Sequence, residues 1–357
     1  MMAGAQAHRL PDGRRLHLNH GPIDLIVEAL GAPGEVERAH RQAVARFETV
    51  LTELVAELPG LRRPTDVRAP RAFAGPTARR MEAAVASFAA KSFITPMAAV
   101  AGAVADEVLA ALTSGRVLDR AYVNNGGDSA LYLAGGQSLT LAIAGTGHGF
   151  SDRVIVEAGD GVRGVATSGW RGRSHSLGIS DAVTVLASTG AAADAAATMI
   201  GNAVDLPGHP AITRQPARLL APDSDLGERL VTTEVGLLTA AEMDEALARG
   251  LAVAQDFVAR GLIVAAVLYL GGERVVSGLP LIVAGNKQAS CGCAIYPPLA
   301  CRPSPPQGGR SSASPECIIS PLEGEMAGRP EGGAKDRNVA RARSDTRTTL
   351  TKETHHA

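Results

Sequence analysis

Ala121-Tyr122-Val123-Asn124-Asn125-Gly126-Gly127-Asp128-Ser129-Ala130-Leu131-Tyr132-Leu133 is the stretch that decides the fold class. Two short β-prone runs, Ala121–Asn124 and Ala130–Leu133, flank a glycine pair, which reads as two strands and a turn. The same texture continues downstream. Ser138–Ile143 reads as a strand, and Arg153–Glu157 with Val162–Ala166 reads as a hairpin across Ala158-Gly159-Asp160-Gly161. Ala182–Ala187 is a further buried strand, and Ile263–Leu270 a final apolar one. Upstream, Arg14–Asn19 and Ile23–Leu30 are strands joined by the turn His20-Gly21-Pro22.

Helical patterns lie between these strands. Val36, Val44, Phe47, Val50, Leu51, Leu54 and Leu58 recur close to a 3.6-residue period, so Glu35–Leu58 is an amphipathic helix that Pro59-Gly60 ends. Pro76–Ala90 is a second helix. Thr95 stands at an N-cap position with Pro96 at the first helical position, before the apolar run Met97–Leu112, which Gly115 closes. Ala191–Val204 is an alanine-rich helix, and Thr239-Ala240-Ala241-Glu242 is a capping box for a helix reaching about Arg260. Helices and antiparallel-looking strands mix without strict βαβ alternation. The expectation is α+β, a mixed sheet with packed helices.

Composition sets the limits. The chain has 357 residues, 45% of them hydrophobic but only 3% aromatic, so Ala, Val, Leu and Ile must fill the core. The net charge is −1, and no basic stripe carries interleaved aromatics, which argues against a nucleic-acid partner. Met1–Arg15 has no apolar leader, and Leu262–Leu270 is shorter than the about 20 residues that cross a bilayer. The expectation is a cytoplasmic protein with no membrane partner. Residues 1–12 read as a flexible N-terminus, 13–285 as the folded domain, and 286–357 as a low-complexity, disordered tail without Phe, Tyr or Trp after Tyr296. All four cysteines, Cys291, Cys293, Cys301 and Cys317, fall in that tail, so the body holds no disulfide. Their spacing does not match a paired zinc knuckle.

Three segments carry candidate chemistry. In Asn124-Asn125-Gly126-Gly127-Asp128 a strand runs into two glycines, whose free N–H groups could hold a phosphate; the plain alternative is an ordinary turn. In Gly164–Ser176 small residues, among them Thr167, Ser168 and Gly169, precede Trp170, Arg171, Arg173 and His175. The arginines could pair phosphate oxygens and His175 could move a proton; the alternative is a solvated basic loop beside a packed Trp. A serine hydrolase is disfavoured because Thr167-Ser168-Gly169 lacks the G-x-S-x-G elbow. In Asp194-Ala195-Ala196-Ala197-Thr198 a carboxylate and a hydroxyl four apart share a helix face and suit Mg²⁺. The alternative places Asp194 in the first turn as a favourable charge at the helix N-terminus. Pro222-Asp223-Ser224-Asp225-Leu226-Gly227 reads as a turn or cap.

In this order the three segments resemble the ApbE superfamily. Its members carry a glycine pair after a strand, an A-T-S-G segment, a downstream histidine and an A-D-A-x-x-T helix. The counterparts here are Gly126-Gly127, Ala166-Thr167-Ser168-Gly169, His175 and Ala193–Thr198. The likeness is closer to a bacterial and archaeal branch of uncharacterised ApbE-like proteins, carried by Ile94–Gly102, Val123–Asp128 and Gly172–Gly178, and it runs from about Arg15 to Gly272. The resemblance implies a T-fold-related sheet and an Mg²⁺-dependent transferase that splits FAD and attaches FMN to a threonine of an acceptor protein, or a hydrolase of FAD. It implies that Asp194, Thr198 and the carbonyl of Gly164 hold Mg²⁺, that His175 is the base, and that Asn125, Gly126, Gly127, Asp128, Thr167, Ser168, Gly169, Arg171 and Arg173 face the dinucleotide. Typical members follow the histidine with D-P-x-T-G, where this chain has Ser176–Asp181. That departure keeps a second reading in view, non-catalytic binding of a flavin or another phosphorylated metabolite. Self-association into a homodimer through the alanine-rich helices also stays open.

Overall fold

The computed structural model of the chain describes residues 4–142, 153–172 and 174–278. The tail assigned to 286–357, with its cysteines, and Arg173 lie outside them. The chain order begins β1 (Gln6–Arg9), β2 (Leu16–His20) and β3 (Ile23–Gly31). Next come α1 (Pro33–Leu61), α2 (Pro76–Ala89), a short 3-10 turn (Pro96–Ala99) and α3 (Val100–Thr113). The middle of the chain gives β4 (Leu118–Asn125), β5 (Asp128–Leu133), β6 (Ser138–Ala142), β7 (Arg153–Glu157), β8 (Gly164–Ser168) and β9 (Ala182–Ala187). Then follow α4 (Gly190–Ala203), β10 (Ile212–Pro216), α5 (Ala217–Leu220), β11 (Leu230–Val235), α6 (Ala240–Ala259), β12 (Ala265–Leu270) and β13 (Glu273–Gly278).

Nine strands form one sheet in the order β1-β2-β3-β4-β5-β8-β9-β12-β13. Every neighbouring pair is antiparallel. The fold is α+β. The sheet contains the same connectivity twice: β2-β3, helices, β4-β5, and then β8-β9, helices, β12-β13. The two halves meet where β5 pairs β8 over Ser129↔Val165 and Ala130↔Gly164. The helices cover one face of the sheet. Leu25, Val27, Ala121, Val123, Val183, Val185 and Leu268 there share a core with Phe47, Val50, Val104, Val108 and Ile200 from the helices.

The opposite face is covered by β6 and β7, which pair with each other rather than with the main sheet. This corrects the expected hairpin of Arg153–Glu157 with Val162–Ala166. β7 alternates buried Val154 and Val156 with more exposed residues, and its apolar side seats with Leu139 and Leu141 on Tyr122, Leu131, Val165 and Leu186. The turn at Ala158–Asp160 therefore carries the chain between layers, from β7 to β8.

Other boundaries move for identifiable reasons. α1 runs through Pro59 to Leu61, because a proline in the last turn forfeits only one backbone bond and fully buried Leu61 anchors the end. Gln6–Arg9, inside the segment read as a flexible N-terminus, forms the edge strand β1 on β2. Ile263–Leu270 is not the last strand, since Gly271-Gly272 returns the chain as β13. The capping box Thr239/Glu242 opens α6 as its sequence implies. Pro96–Thr113 is apolar enough to match a membrane span by length and composition, and half of it is buried within the fold.

Two predictions follow from the packing. A Cβ on Gly102 would lie 2.1 Å from the carbonyl oxygen of Gly190, whereas one on Gly135 meets open space. Gly102→Ala is expected to cost about 3 kcal/mol or more, with Gly135→Ala near neutral, in denaturant unfolding. The second concerns His40, only 2% exposed, with neither ring nitrogen hydrogen-bonded. Burial holds its pKa below the ordinary 6.5, with Arg9 adding to the effect. A depressed histidine contributes stability that is complete above about pH 6.5 and declines as pH falls toward the folded value. His40→Leu removes two unpaired nitrogens, so it should match or exceed the wild type by about 1 kcal/mol near pH 7.5. Its advantage should widen near about pH 5.5.

Candidate functional site

The site is built where α3 and α4 begin side by side. Gly102 and Gly190 let the two backbones touch, since a Cβ on Gly102 would strike the carbonyl of Gly190. Each helix then supplies an aspartate to the start of the other. Asp106 on α3 accepts from the backbone N–H of Gly190 and Ala191, both at 2.8 Å. Asp194 on α4 accepts from the N–H of Gly102 at 3.0 Å. In each helix the aspartate stands four residues after the glycine, so Gly102-x-x-x-Asp106 and Gly190-x-x-x-Asp194 interlock reciprocally. Asp194 is thus one turn beyond the first turn of its own helix. It serves the N-terminus of α3, not that of α4, where Thr189 is the cap.

Around this interlock the three segments converge. Asn125, at the end of β4, donates through Nδ2 to the carbonyl of Ala101 at 3.1 Å. Its cross-strand partner is Asp128 on β5, whose carboxylate accepts from the backbone N–H of Thr167 on β8 at 3.0 Å. Asp128 also acts electrostatically on Asp194. Burial drives the Asp194 carboxyl well above the ordinary carboxylate range; the Asp128 carboxylate pushes it further, and the N–H groups of Gly102 and Ala101 oppose the shift. Among the described residues, the acids Asp128 and Asp106 act on Asp194, and both raise it. Burial likewise raises Asp106, against the N–H groups of Ala191 and Gly190.

Other expected residues take different places. The Thr167 hydroxyl points to the far face of the sheet, bonded to the Thr184 hydroxyl at 2.8 Å. Ser168 is on the helix side, against Gly201 of α4. Gly164 is a packing glycine, whose Cβ would lie 2.0 Å from the carbonyl oxygen of Thr189. Gly126 and Gly127 adopt φ of 63° and 117°, which explains the glycine pair by turn geometry. Gly169 packs against the carbonyl of Asp181. Arg171 turns away from the interlock: its guanidinium lies 4.7 Å from the centre of the Trp170 ring and bonds Asp181 at 2.9 Å. Asp181 uses its other oxygen to accept from Gly271 N–H at 2.7 Å. His175 is half-buried beside a segment fixed to the last turn of α4, where Leu177 N–H donates to Asn202 Oδ1 at 2.9 Å. Thr198 stands one turn after Asp194.

Asp128, Asp194 and Thr198 are oxygen donors of the type that could hold a hard divalent cation. Among the described residues no group of three or more His, Cys, Asp or Glu gathers in a metal-binding arrangement. Any cation here would therefore complete its shell from water and a ligand.

The sequence profile of a family described as "AbpE bacteria" matches residues 7–276. The chain belongs to that family. It is also similar to archaeal UPF0280 proteins. One from Methanopyrus kandleri is 43% identical over 119 residues, 32% of this chain and 46% of the relative. One from Methanothrix thermoacetophila is 39% identical over 113 residues, 31% of this chain and 46% of the relative. The matched part spans a little under half the length of each.

In this AbpE family member several site residues carry weak sequence signals. Asp106 interrupts an apolar run and looks like a solvated position. Asn202 is a lone amide near a helix end. Asp225 falls in a segment read as a turn or cap, yet its carboxylate accepts from the hydroxyl of buried Thr95 just before the 3-10 turn. The recoverable signal for Asp106 is the repeated G-x-x-x-D spacing.

Asp106→Ala strips the cap from two N–H groups of α4 in a packed interior. It is expected to lower stability by about 2 kcal/mol, measured by chemical unfolding.

Proposed function

We propose that the chain is an ApbE-superfamily enzyme acting on FAD or another pyrophosphate-linked ligand with Mg²⁺. The observation that carries this is that the Asp128 carboxylate, held by Thr167 N–H, lies close enough to Asp194 at the start of α3 to act on it, one helical turn before the Thr198 hydroxyl. Asp194 and Thr198 would hold the ion, with Asp128 and the carbonyl of Gly164 in support. The ion would neutralise charge on the pyrophosphate oxygens. His175 takes the proton of the attacking hydroxyl, from a threonine of an acceptor protein or from water. That oxygen bonds to the FMN phosphorus while the bond to AMP breaks, and AMP leaves with the bridging oxygen. Arg173, Ser168 and the turn Asn125–Asp128 remain candidate contacts for the ligand. Arg171 is better read as a support for Trp170.

A second reading is non-catalytic binding of a flavin or phosphorylated metabolite. The bond from Gly102 to Asp194 favours it, because capping α3 accounts for that carboxylate without chemistry.

Incubation with FAD and Mg²⁺, with and without a threonine-containing acceptor, separates the two when products are followed by mass. The proposed enzyme yields FMN or FMN-acceptor together with AMP, loses turnover with a chelator, and loses about 100-fold or more with His175→Gln. Tight flavin binding without metal and without turnover of any dinucleotide would overturn catalysis and leave the binding reading.

A further inference from the structure

We infer that Asn202 is a positioning residue, which holds the His175 segment in register with the acid–hydroxyl face of α4. Asp194, Thr198 and Asn202 recur at four-residue spacing, so they follow one side of the helix. Asn202 lies about 12 Å along the axis from Asp194 at 1.5 Å per residue. At that end the chain after His175 is fastened to the helix. Leu177 N–H donates to Asn202 Oδ1 at 2.9 Å, and the Ser176 hydroxyl reaches the same oxygen at 3.4 Å. The Ser176 oxygen in turn accepts from Gly178 N–H at 3.2 Å. Gly178 lies flat on the helix end, where a Cβ would sit 2.1 Å from the Gly201 carbonyl. Ile179 N–H then reaches the Val204 carbonyl at 2.8 Å.

Asn202 is the side chain in this fastening that belongs to the same helix as Asp194 and Thr198. It ties the chain just after His175 to the helix that carries them. The bond it makes uses only the acceptor oxygen. An aspartate can supply that oxygen; alanine cannot. Thr232 N–H on the Ser176 carbonyl and Arg214 on the Leu177 carbonyl hold the segment from its other side, and the bond from Leu177 N–H, two residues after His175, ties it to the helix that carries Asp194 and Thr198.

The role in turnover rests on the proposed action of His175, whereas the fastening itself is testable without any activity. In amide hydrogen exchange of the full chain, Leu177 should be protected like Ile179, and Ser174 should exchange faster. Leu177 exchanging as fast as Ser174 in the wild type would overturn the inference with no variant needed. Asn202→Ala should unprotect Leu177 and move the His175 ring-proton resonances, assigned with His175→Gln, toward free-histidine positions. Asn202→Asp should restore both. Equal loss in the two variants at equal melting temperature would show that the acceptor oxygen is not what matters. Where FAD turnover is present, Asn202→Ala should lower kcat about 100-fold with little change in KM, the scale of a misplaced catalytic group, and Asn202→Asp should recover most of it. Absent turnover in the wild type would remove the proposed reaction and leave the exchange and resonance results to decide the fastening.

Discussion

Helices that begin side by side bring their positive ends together and leave their first N–H groups without partners. α3 and α4 do this, and each answers the other's exposed start with an aspartate from its second turn. The arrangement requires backbone contact, hence glycine at 102 and 190. It matters more because the seam between the two half-sheets is short, with β5 and β8 paired at two positions. The packing of α3 on α4, and the carboxylates that fix it, therefore join the halves on one face, as the β6–β7 layer does on the other. Asp106 and Asp194 are half-buried acids, each hydrogen-bonded to the start of the neighbouring helix, with Arg80 also acting on Asp106.

This constraint shapes the chemistry available. A carboxylate fastened by backbone N–H groups does not need to be ordered when a ligand arrives, which is how supporting contacts improve a site. The same fastening explains why Asp128 can be brought close to Asp194 at all. Asp128 is held by Thr167 N–H and by its place opposite Asn125. Left alone, such a pair favours a proton on one member. A divalent cation offers the other way of balancing it. On the proposed reading, fold stability and ligand capture would draw on one group, and neither could be altered at Asp194 without touching the other.

The sequence discloses the parts of this arrangement unevenly. The long helices and most strands are legible because their cores depend on periodic apolar residues, as in Val36 to Leu58. The family motifs are legible because glycine pairs and the Asp194/Thr198 spacing are local. The layer switch after β7 is not, since the turn at Ala158–Gly161 has the same composition whether the chain returns to its own strand or passes to another sheet. β10 and β11 escape notice because Arg214, Pro216 and Thr232 give little alternation. Thr167 shows the limit of motif reading: its backbone N–H serves Asp128 while its hydroxyl is on the other face, a consequence of strand alternation that a motif does not encode. Arg171 shows another, since a basic loop does not announce that Asp181, ten residues on, has already claimed it.

The alanine content of α4 has a physical meaning beyond plain packing. Gly190, Ala191, Ala193, Ala195, Ala196, Ala197 and Gly201 are all buried. Small side chains let the helix settle close to β8 and β9, where Ser168 meets Gly201 and Gly164 meets Thr189. They also remove little apolar surface each, at roughly 25 cal/mol per Å². A central helix built this way gains less from hydrophobic burial than α1, with its Phe47, Val50, Leu51 and Leu54. It must rely more on close contact and on hydrogen bonds at its two ends: Asp106 at the start, Asn202 and the 176–179 segment at the finish. The features that make α4 a precise carrier for polar side chains are therefore the ones that make it dependent on those side chains to stay in place.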